Sequence, residues 1–515
     1  MPLKAHVDPA ALDALLAPYD TTSAPGYAVG VALDGRPLYR RGVGMASIEL
    51  PVSLSPSMRM RIGSTSKHFT VLAVMLLVEE QRLSLDDSPR QYIAELPAWA
   101  DSMTVRQLMA HTSGMRDSLD LLLHAAGPGK PTPDDFHLRM LSAIDSVNFA
   151  PGVSWNYNNG GYVLLSEIVA RLSGQSFAAF LKERIFDPVG MIDTLVRPLD
   201  TDLLPNSATL HVPTPAGGWV RGVFGSPIGG EGGIVSTVDD MLRWLRHMDA
   251  PTIGSAGSWA EMRTPLTSHG YGLGLFMNKR RGLDSVHHAG AVVGGSSQMI
   301  KLVDQRLDIV AMTNGRGGLE LYNLVDAIIA ACIPDLPAAD QDVPRPPVTG
   351  IFHSTGSGRA LELLADGDAQ ILRLGAMKLP AVRDRDGAIS VAFLPSDLQV
   401  RPIDDETVIV REFGESERLS RVYPPADPNL RAISGRYQSR AAGLEARIDA
   451  DEDGARMRVT GEFGSLVYAL APIGHDLWEA TATGMLPLAA TLEFGAESFR
   501  FTSGRTVRLP FDRMR

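Results

Sequence analysis

A single cysteine, Cys332, is the only thiol in this chain, so it forms no internal disulfide and builds no multi-cysteine metal site. Basic residues never gather into a block, and the formal net charge is -11; this argues against nucleic acid and against an anionic membrane surface as partners. The longest relevant apolar run, VLAVMLLV (Val71–Val78), is far too short to span a bilayer. The opening stretch MPLKAHVDPAALDALLAPYD lacks an apolar core, so no secretion signal is expected and a cytoplasmic location is. Missing too are a G-x-S-x-G elbow, an H-E-x-x-H pair and a phosphate loop, which leaves other hydrolase and metal readings little support. No cofactor and no metal are expected.

What is present is a chain too long for one ordinary domain, 515 residues with 44% hydrophobic content, enough for a sizeable core. GYAVGVAL (Gly26–Leu33) and PLYRRGVGMA (Pro37–Ala46) alternate around Asp34-Gly35-Arg36 and read as a hairpin. Apolar residues from Lys67 to Gln81 repeat at helical spacing. Further helices are expected over Thr104–Asp117 with a stop at Gly114, over Gly161–Gly174, and from Gly233 to Met248 with Ser236 or Thr237 as cap. Ser296–Asn314 reads as a hairpin around Asp304-Gln305, and Leu319–Ile333 as a closing helix. Strands at both ends with helices between predict an α/β domain with a largely antiparallel sheet.

Pro334–Gly350 is proline-rich and polar, a linker by composition. Beyond it lie short strand-like pieces with a faint repeat. Gly350, Phe352, Ser354 and Gly358 match Gly435, Tyr437, Ser439 and Gly443, roughly 85 residues on. Two small antiparallel β-barrels would produce that pattern. The expected division is a catalytic domain over 1–335, a linker over 336–349, and barrels over 350–427 and 428–515.

Three motifs stand in order: Ser64-Thr65-Ser66-Lys67, Tyr157-Asn158-Asn159 and His288-Ala289-Gly290. Each alone is weak. On a helix, residues three apart share a face, so Ser64 can place its hydroxyl beside the Lys67 amine. Backbone N–H groups of a first helical turn lack intrahelical partners, and that of Ser64 can point at a developing oxyanion. The positive helix end and burial both disfavour a charged ammonium, leaving Lys67 able to accept the Ser64 proton. The plainer alternative is that Ser64 caps the helix and Lys67 is solvated. Tyr157 adds a second proton-exchanging group, and Asn159 an amide for a substrate carbonyl; Asn-Asn-Gly-Gly is equally good turn chemistry. His288 and Gly290 would point to one side of a strand whose glycine leaves the backbone open to an extended substrate. The Ala291 N–H is then a second oxyanion donor. His287 reads as a packed or surface neighbour.

Together MRIGSTSKHFT, TVRQLMAHTSGMRD, YNNGGYVLLSEIVARLSG, GGEGGIVSTVDDMLRWL, YGLGL and HHAG, within Gly26 to Cys332, resemble the penicillin-recognising serine hydrolases. The resemblance implies a β-lactamase/transpeptidase-like catalytic domain, with Ser64 as nucleophile, Lys67 as base, Tyr157 as proton relay and His288 on the strand edging the site. His288 in place of a lysine, and two C-terminal β-domains with ISGRYQSR and HDLWEA, resemble the D-aminopeptidase branch. There a loop of the last domain reaches the catalytic pocket with an acid for the substrate amine. The matching stretch here, Glu479–Ala490, has no acid after Glu479. The implied activity is acyl-enzyme hydrolysis releasing N-terminal D-amino acids from small peptides or amides. The alternatives are an esterase or amidase of the same superfamily, and a β-lactam-binding sensor without turnover. Expected partners are a small peptide, amide or ester substrate and a second copy of the chain in a homodimer.

Overall fold

The computed structural model describes residues 3–337, 345–391, 397–451, 454–482 and 484–515. Helix α1 (Pro9–Leu16) leads into strands β1 (Tyr27–Leu33) and β2 (Arg36–Val43). Helices α2 (Lys67–Glu79), α3 (Val105–Met109), α4 (Ser118–Ala126), α5 (Asn159–Ser173) and α6 (Val238–Asp249) follow, with shorter pieces between. Strands β3 (Phe276–Arg280), β4 (Leu283–Val292), β5 (Gly295–Leu302) and β6 (Leu307–Thr313) precede helix α7 (Gly318–Cys332). The chain divides into two compact units, one of Met1–Ala94, Met103–Ala110 and Gly161–Ala338, the other of Glu95–Ser102, His111–Gly160 and Ala339–Arg515.

The first unit holds a six-stranded antiparallel sheet in the order β3-β4-β5-β6-β1-β2. Asp34 and Gly35 turn the first hairpin with φ of 52° and 69°, the pair of positive values that a two-residue turn between twisted strands needs. The alternation of β1 then sorts its faces. Tyr27, Val29 and Val31 join Leu12 and Leu16 of α1 and Leu321, Val325 and Ile328 of α7 in one buried cluster. The other face carries small residues because α6 lies close: a Cβ on Gly30 would stand 2.4 Å from Val238 and 2.8 Å from Leu242. Cys332 is buried in the first cluster, and burial pushes its thiol up to about 11, which leaves it unreactive.

Helix α2 is buried from Lys67 to Leu77; a segment apolar on all sides has no solvent face to offer. No helix among the described residues is long and apolar enough to cross a membrane. Two expected helices differ in extent. The one expected to run to Gly114 stops at Met109, although Thr104 and Gln107 form a full capping box at its start. His111 takes a φ of 60°, its carbonyl accepts the Asn156 N–H and its ring nitrogen accepts the Asn158 N–H, so the backbone there serves the Tyr157 segment instead of another helical turn. The segment from Gly233 opens as a strand, Ile234–Ser236, and its helix starts at Val238 with the Thr237 side chain as cap.

The second unit contains α4 and two closed eight-stranded barrels. One runs from Gly350–His353 to Glu415–Val422, the other from Gly435–Ser439 to Leu509–Arg513. The repeat read from the sequence marks equivalent positions in both. Phe352 and Tyr437 are buried, and Arg421 and Arg513 place their guanidinium carbons 4.9 and 5.0 Å from the respective ring centroids. Gly350 and Gly435 share φ of 143° and 148°, and a Cβ on either would run into that same arginine. The proline-rich linker falls partly on residues 338–344, outside the described residues.

Candidate active site

A 3₁₀ turn, Gly63–Ser66, precedes α2 and carries Ser64. Three residues per turn nearly eclipse positions i and i+3, which brings Ser64 over Lys67. The Lys67 Nζ donates to Ser64 Oγ at 3.2 Å and to the Glu231 carbonyl at 2.6 Å, and it stands 5.0 Å from the Tyr162 ring centroid. Lys67 is 0% exposed, whereas Ser64 is half-buried. Ser64 is thus not a helix cap and Lys67 is not solvated. The cap position of α2 is Ser66, whose hydroxyl accepts the Ile234 N–H and not a helix amide.

Strand β4 runs beside this turn. Its pairing with β3 ends at His287↔Phe276, while pairing with β5 continues to Val292, so His288–Val292 form an open edge. The turn is seated on that edge by hydroxyls: Thr65 Oγ1 donates to the His288 carbonyl at 3.4 Å, and Ser297 Oγ donates to the Ile62 carbonyl at 2.7 Å. Glycine is required on both sides of the contact. A Cβ on Gly290 would lie 1.8 Å from the Ile62 oxygen, and one on Gly63, whose φ is 51°, would lie 2.8 Å from the Ala291 nitrogen. Ala291 itself is exposed. Its backbone lies beside the Ser64 turn.

His288 is 2% exposed, and its Nδ1 hydrogen-bonds the Ala289 carbonyl at 2.6 Å. Burial first, and then the charge of Lys67, hold its pKa well below the ordinary imidazole value, so the ring is neutral. His287 is buried too, stacked on Phe276 at 5.2 Å with Nε2 on Asn278 Oδ1; it is a packed neighbour.

Tyr157, Asn158 and Asn159 belong to the second unit and form their own cluster. The half-buried Tyr157 packs on the His111 ring, centroids 4.3 Å apart. Asn158 takes its N–H to His111 Nδ1. Fully buried Asp117 accepts from the Gly160 N–H at 3.2 Å and from Asn159 Nδ2 at 3.5 Å, and caps α4 through the Leu119 N–H. Asn159, Gly160 and Gly161 open helix α5 and do not form the turn that Asn-Asn-Gly-Gly suggests, and Tyr157 stands just before that helix.

The family model described as Beta-lactamase matches residues 12–331. The chain belongs to the beta-lactamase family. This beta-lactamase-family chain is 32% identical over 306 residues to a D-aminopeptidase of Brucella anthropi, covering 57% of each. It is 29% identical over 475 residues to a D-aminopeptidase of Brucella canis, covering 88% of this chain and 87% of that one. It thus spans under two thirds of the first relative's length and most of the second's. Among solved structures it resembles the octameric penicillin-binding protein homologue from Pyrococcus abyssi, with 19% identity, TM-score 0.57, and coverage of 98% of this chain and 100% of that one. It also resembles a D-amino acid amidase from Ochrobactrum anthropi, with 23% identity, TM-score 0.54, and coverage of 62% and 97%. Those two likenesses speak to the fold.

Several residues of this beta-lactamase-family site escaped the sequence reading. The Glu231 carbonyl on Lys67 lies in GGEGG, and a backbone acceptor leaves no mark of its own in a sequence. His111 lies within the helix expected to run to Gly114, and Asp117 lies just past that stop. The expected C-terminal loop also differs. Glu479 is paired with Arg373 of the first barrel, and Met485 lies against Gly129. The C-terminal residue over Tyr157 is Arg505, 5.1 Å from the ring centroid, on a loop with no motif to announce it.

Proposed function

We propose that the protein is a serine hydrolase of D-aminopeptidase type, working through an acyl-enzyme on small peptides or amides with a free N-terminal D-residue. The observation that carries this reading is the wholly buried Lys67 amine on the hydroxyl of a half-buried Ser64. Ser64 Oγ attacks the substrate carbonyl as its proton passes to Lys67 Nζ. The N–H groups of Ser64 and Ala291 hold the oxyanion. Tyr157 delivers a proton to the departing amine, and Asn159 aims its amide at the substrate carbonyl. Water, deprotonated in turn, releases the D-amino acid and restores the serine. Neutral His288 and the small Gly290 shape the edge along which the substrate lies. The D-aminopeptidase relatives support the choice of substrate. A cytoplasmic location and a homodimer complete the reading.

A steady-state screen of D- and L-alanine p-nitroanilides, short acyl esters and nitrocefin tests it. Preference for the D-anilide is expected; turnover of esters alone would favour an esterase, and acylation by nitrocefin without turnover a sensor.

A further inference from the structure

The last loop of the chain, Ser503–Arg508, joins strands Ser498–Thr502 and Leu509–Arg513 of the second barrel. It is fastened along its length to the Asp117–Asn148 region of the same unit. Ser503 and Thr506 donate their hydroxyls to Asp120 Oδ2 at 2.6 and 2.7 Å. Asn148 Nδ2 donates to the Arg505 carbonyl, and Asn148 Oδ1 accepts the Val507 N–H. The Val507 carbonyl accepts from Arg116. With the backbone thus fixed, the Arg505 side chain pairs with Asp117, Nη1 to Oδ2 at 3.2 Å, and its guanidinium carbon stands 5.1 Å from the centre of the Tyr157 ring. Burial works against its charge, but Asp117 and Asp120 more than offset that. Asp117 is the same carboxylate that holds Gly160 and Asn159. One arginine therefore touches the Tyr-Asn-Asn segment at the ring of its first residue and, through Asp117, at its third.

We propose that Arg505 is a positioning residue for Tyr157, so that the C-terminal barrel serves the proton-transfer step itself. This rests on the reading of Tyr157 as the group that protonates the departing amine. A guanidinium over an aromatic face fixes the ring's place and tilt, and small misplacement of a proton donor lowers rate steeply. A tie that only held the loop in place would lower all activities alike; a tie that aims Tyr157 matters only where the leaving group needs a proton.

The test compares D-alanine p-nitroanilide, whose amine must be protonated, with D-alanine p-nitrophenyl ester, whose phenolate leaves unaided. In the full chain, Arg505→Ala is expected to lower kcat on the anilide about 10- to 100-fold, to leave KM within about threefold, and to leave the ester within about threefold. Arg505→Lys, which keeps the charge beside Asp117 but not the planar face, should fall between and remains informative if the alanine variant folds poorly. The double variant Arg505→Ala/Tyr157→Phe should be no slower on the anilide than Tyr157→Phe alone, because both act on one step. Equal losses on anilide and ester, or multiplying losses in the double variant, would overturn the proposal while leaving Tyr157 in its role. If Tyr157→Phe itself leaves the anilide-to-ester ratio unchanged, the Tyr157 assignment fails and this proposal fails with it.

Discussion

The Lys67 amine and the Ser64 hydroxyl stand 3.2 Å apart at the mouth of a buried helix, with Lys67 wholly enclosed and Ser64 half open. A buried amine is costly to keep, and this one is held by the Glu231 carbonyl as well as by the serine. A carbonyl can only accept, so the amine donates to it, while the serine hydroxyl is a group with which the amine can exchange a proton.

Lys67→Arg is expected to be almost as damaging as Lys67→Ala. A guanidinium keeps the charge but does not deprotonate near neutral pH, so it cannot act as base. Loss of kcat/KM in both variants should approach that of the nucleophile variant, on the order of a million-fold. An arginine variant with a substantial fraction of activity would reduce Lys67 to an electrostatic or structural group.

Gly290→Ala should separate β4 from the Ser64 turn. The new methyl would stand 1.8 Å from the Ile62 carbonyl oxygen, a backbone atom that has little room to yield. Destabilisation of about 1–3 kcal/mol is expected, with a drop in kcat of about 100-fold from the displaced edge. Melting temperature and kcat measured together check this; unchanged values in both would show that the contact is looser than described.

Stability should fall on acidification below pH 6.5. His68 and His287 are held down to about 3, His68 by burial and His287 by burial and then Arg280; His288 is shifted the same way. The unfolded chain takes up protons at these sites below about pH 6.5 while the folded chain does not, so acid favours unfolding. At pH 5 His68 and His287 should each cost roughly 2 kcal/mol. Asp308, raised to about 6 chiefly by burial, works in the opposite sense, since its folded form gains a proton first as pH falls; it offsets part of one histidine. Chemical denaturation at pH 7 and pH 5 should show a clear net loss. His68→Gln should reduce that difference, and an unchanged difference would remove His68 from the account.

Ending the chain at Pro337 should loosen residues 111–160. In their unit Trp155 packs tilted against Phe413, centroids 4.1 Å apart, and His124 Nδ1 meets the Tyr468 hydroxyl at 2.8 Å; truncation strips both away. The sheet cluster around Val29, Ile309 and Val325 is made of residues of the first unit. Hydrogen exchange of the truncated chain is expected to show protection lowered on the order of 10- to 100-fold over 111–160 and little changed in β1 and β6. Uniform protection would mean that the barrels do not support this segment.

The sequence was most legible where pattern and place coincide. Alternation in Tyr27–Leu33 and the Asp34-Gly35 turn give the first hairpin almost to the residue. The Gly350 and Gly435 repeat foretold two barrels because each glycine makes room for an arginine of its own last strand. Ser64 and Lys67 were readable because their contact is local. The HTSGMRD run misled because helical residues precede a left-handed His111 whose partners lie over 40 positions away. Arg505 was invisible for the same reason: TSGRT is ordinary turn sequence, and only the closure of a barrel brings it to Tyr157.

The central claim is a covalent intermediate on Ser64. Mixing the full chain with an activated D-alanine ester or a β-lactam, quenching in acid and mapping the adduct by mass spectrometry reads it directly. The account predicts one acyl group on the peptide containing Ser64, and no adduct with turnover reduced about a million-fold in Ser64→Ala. Label on another serine, or near-normal turnover in that variant, would contradict it.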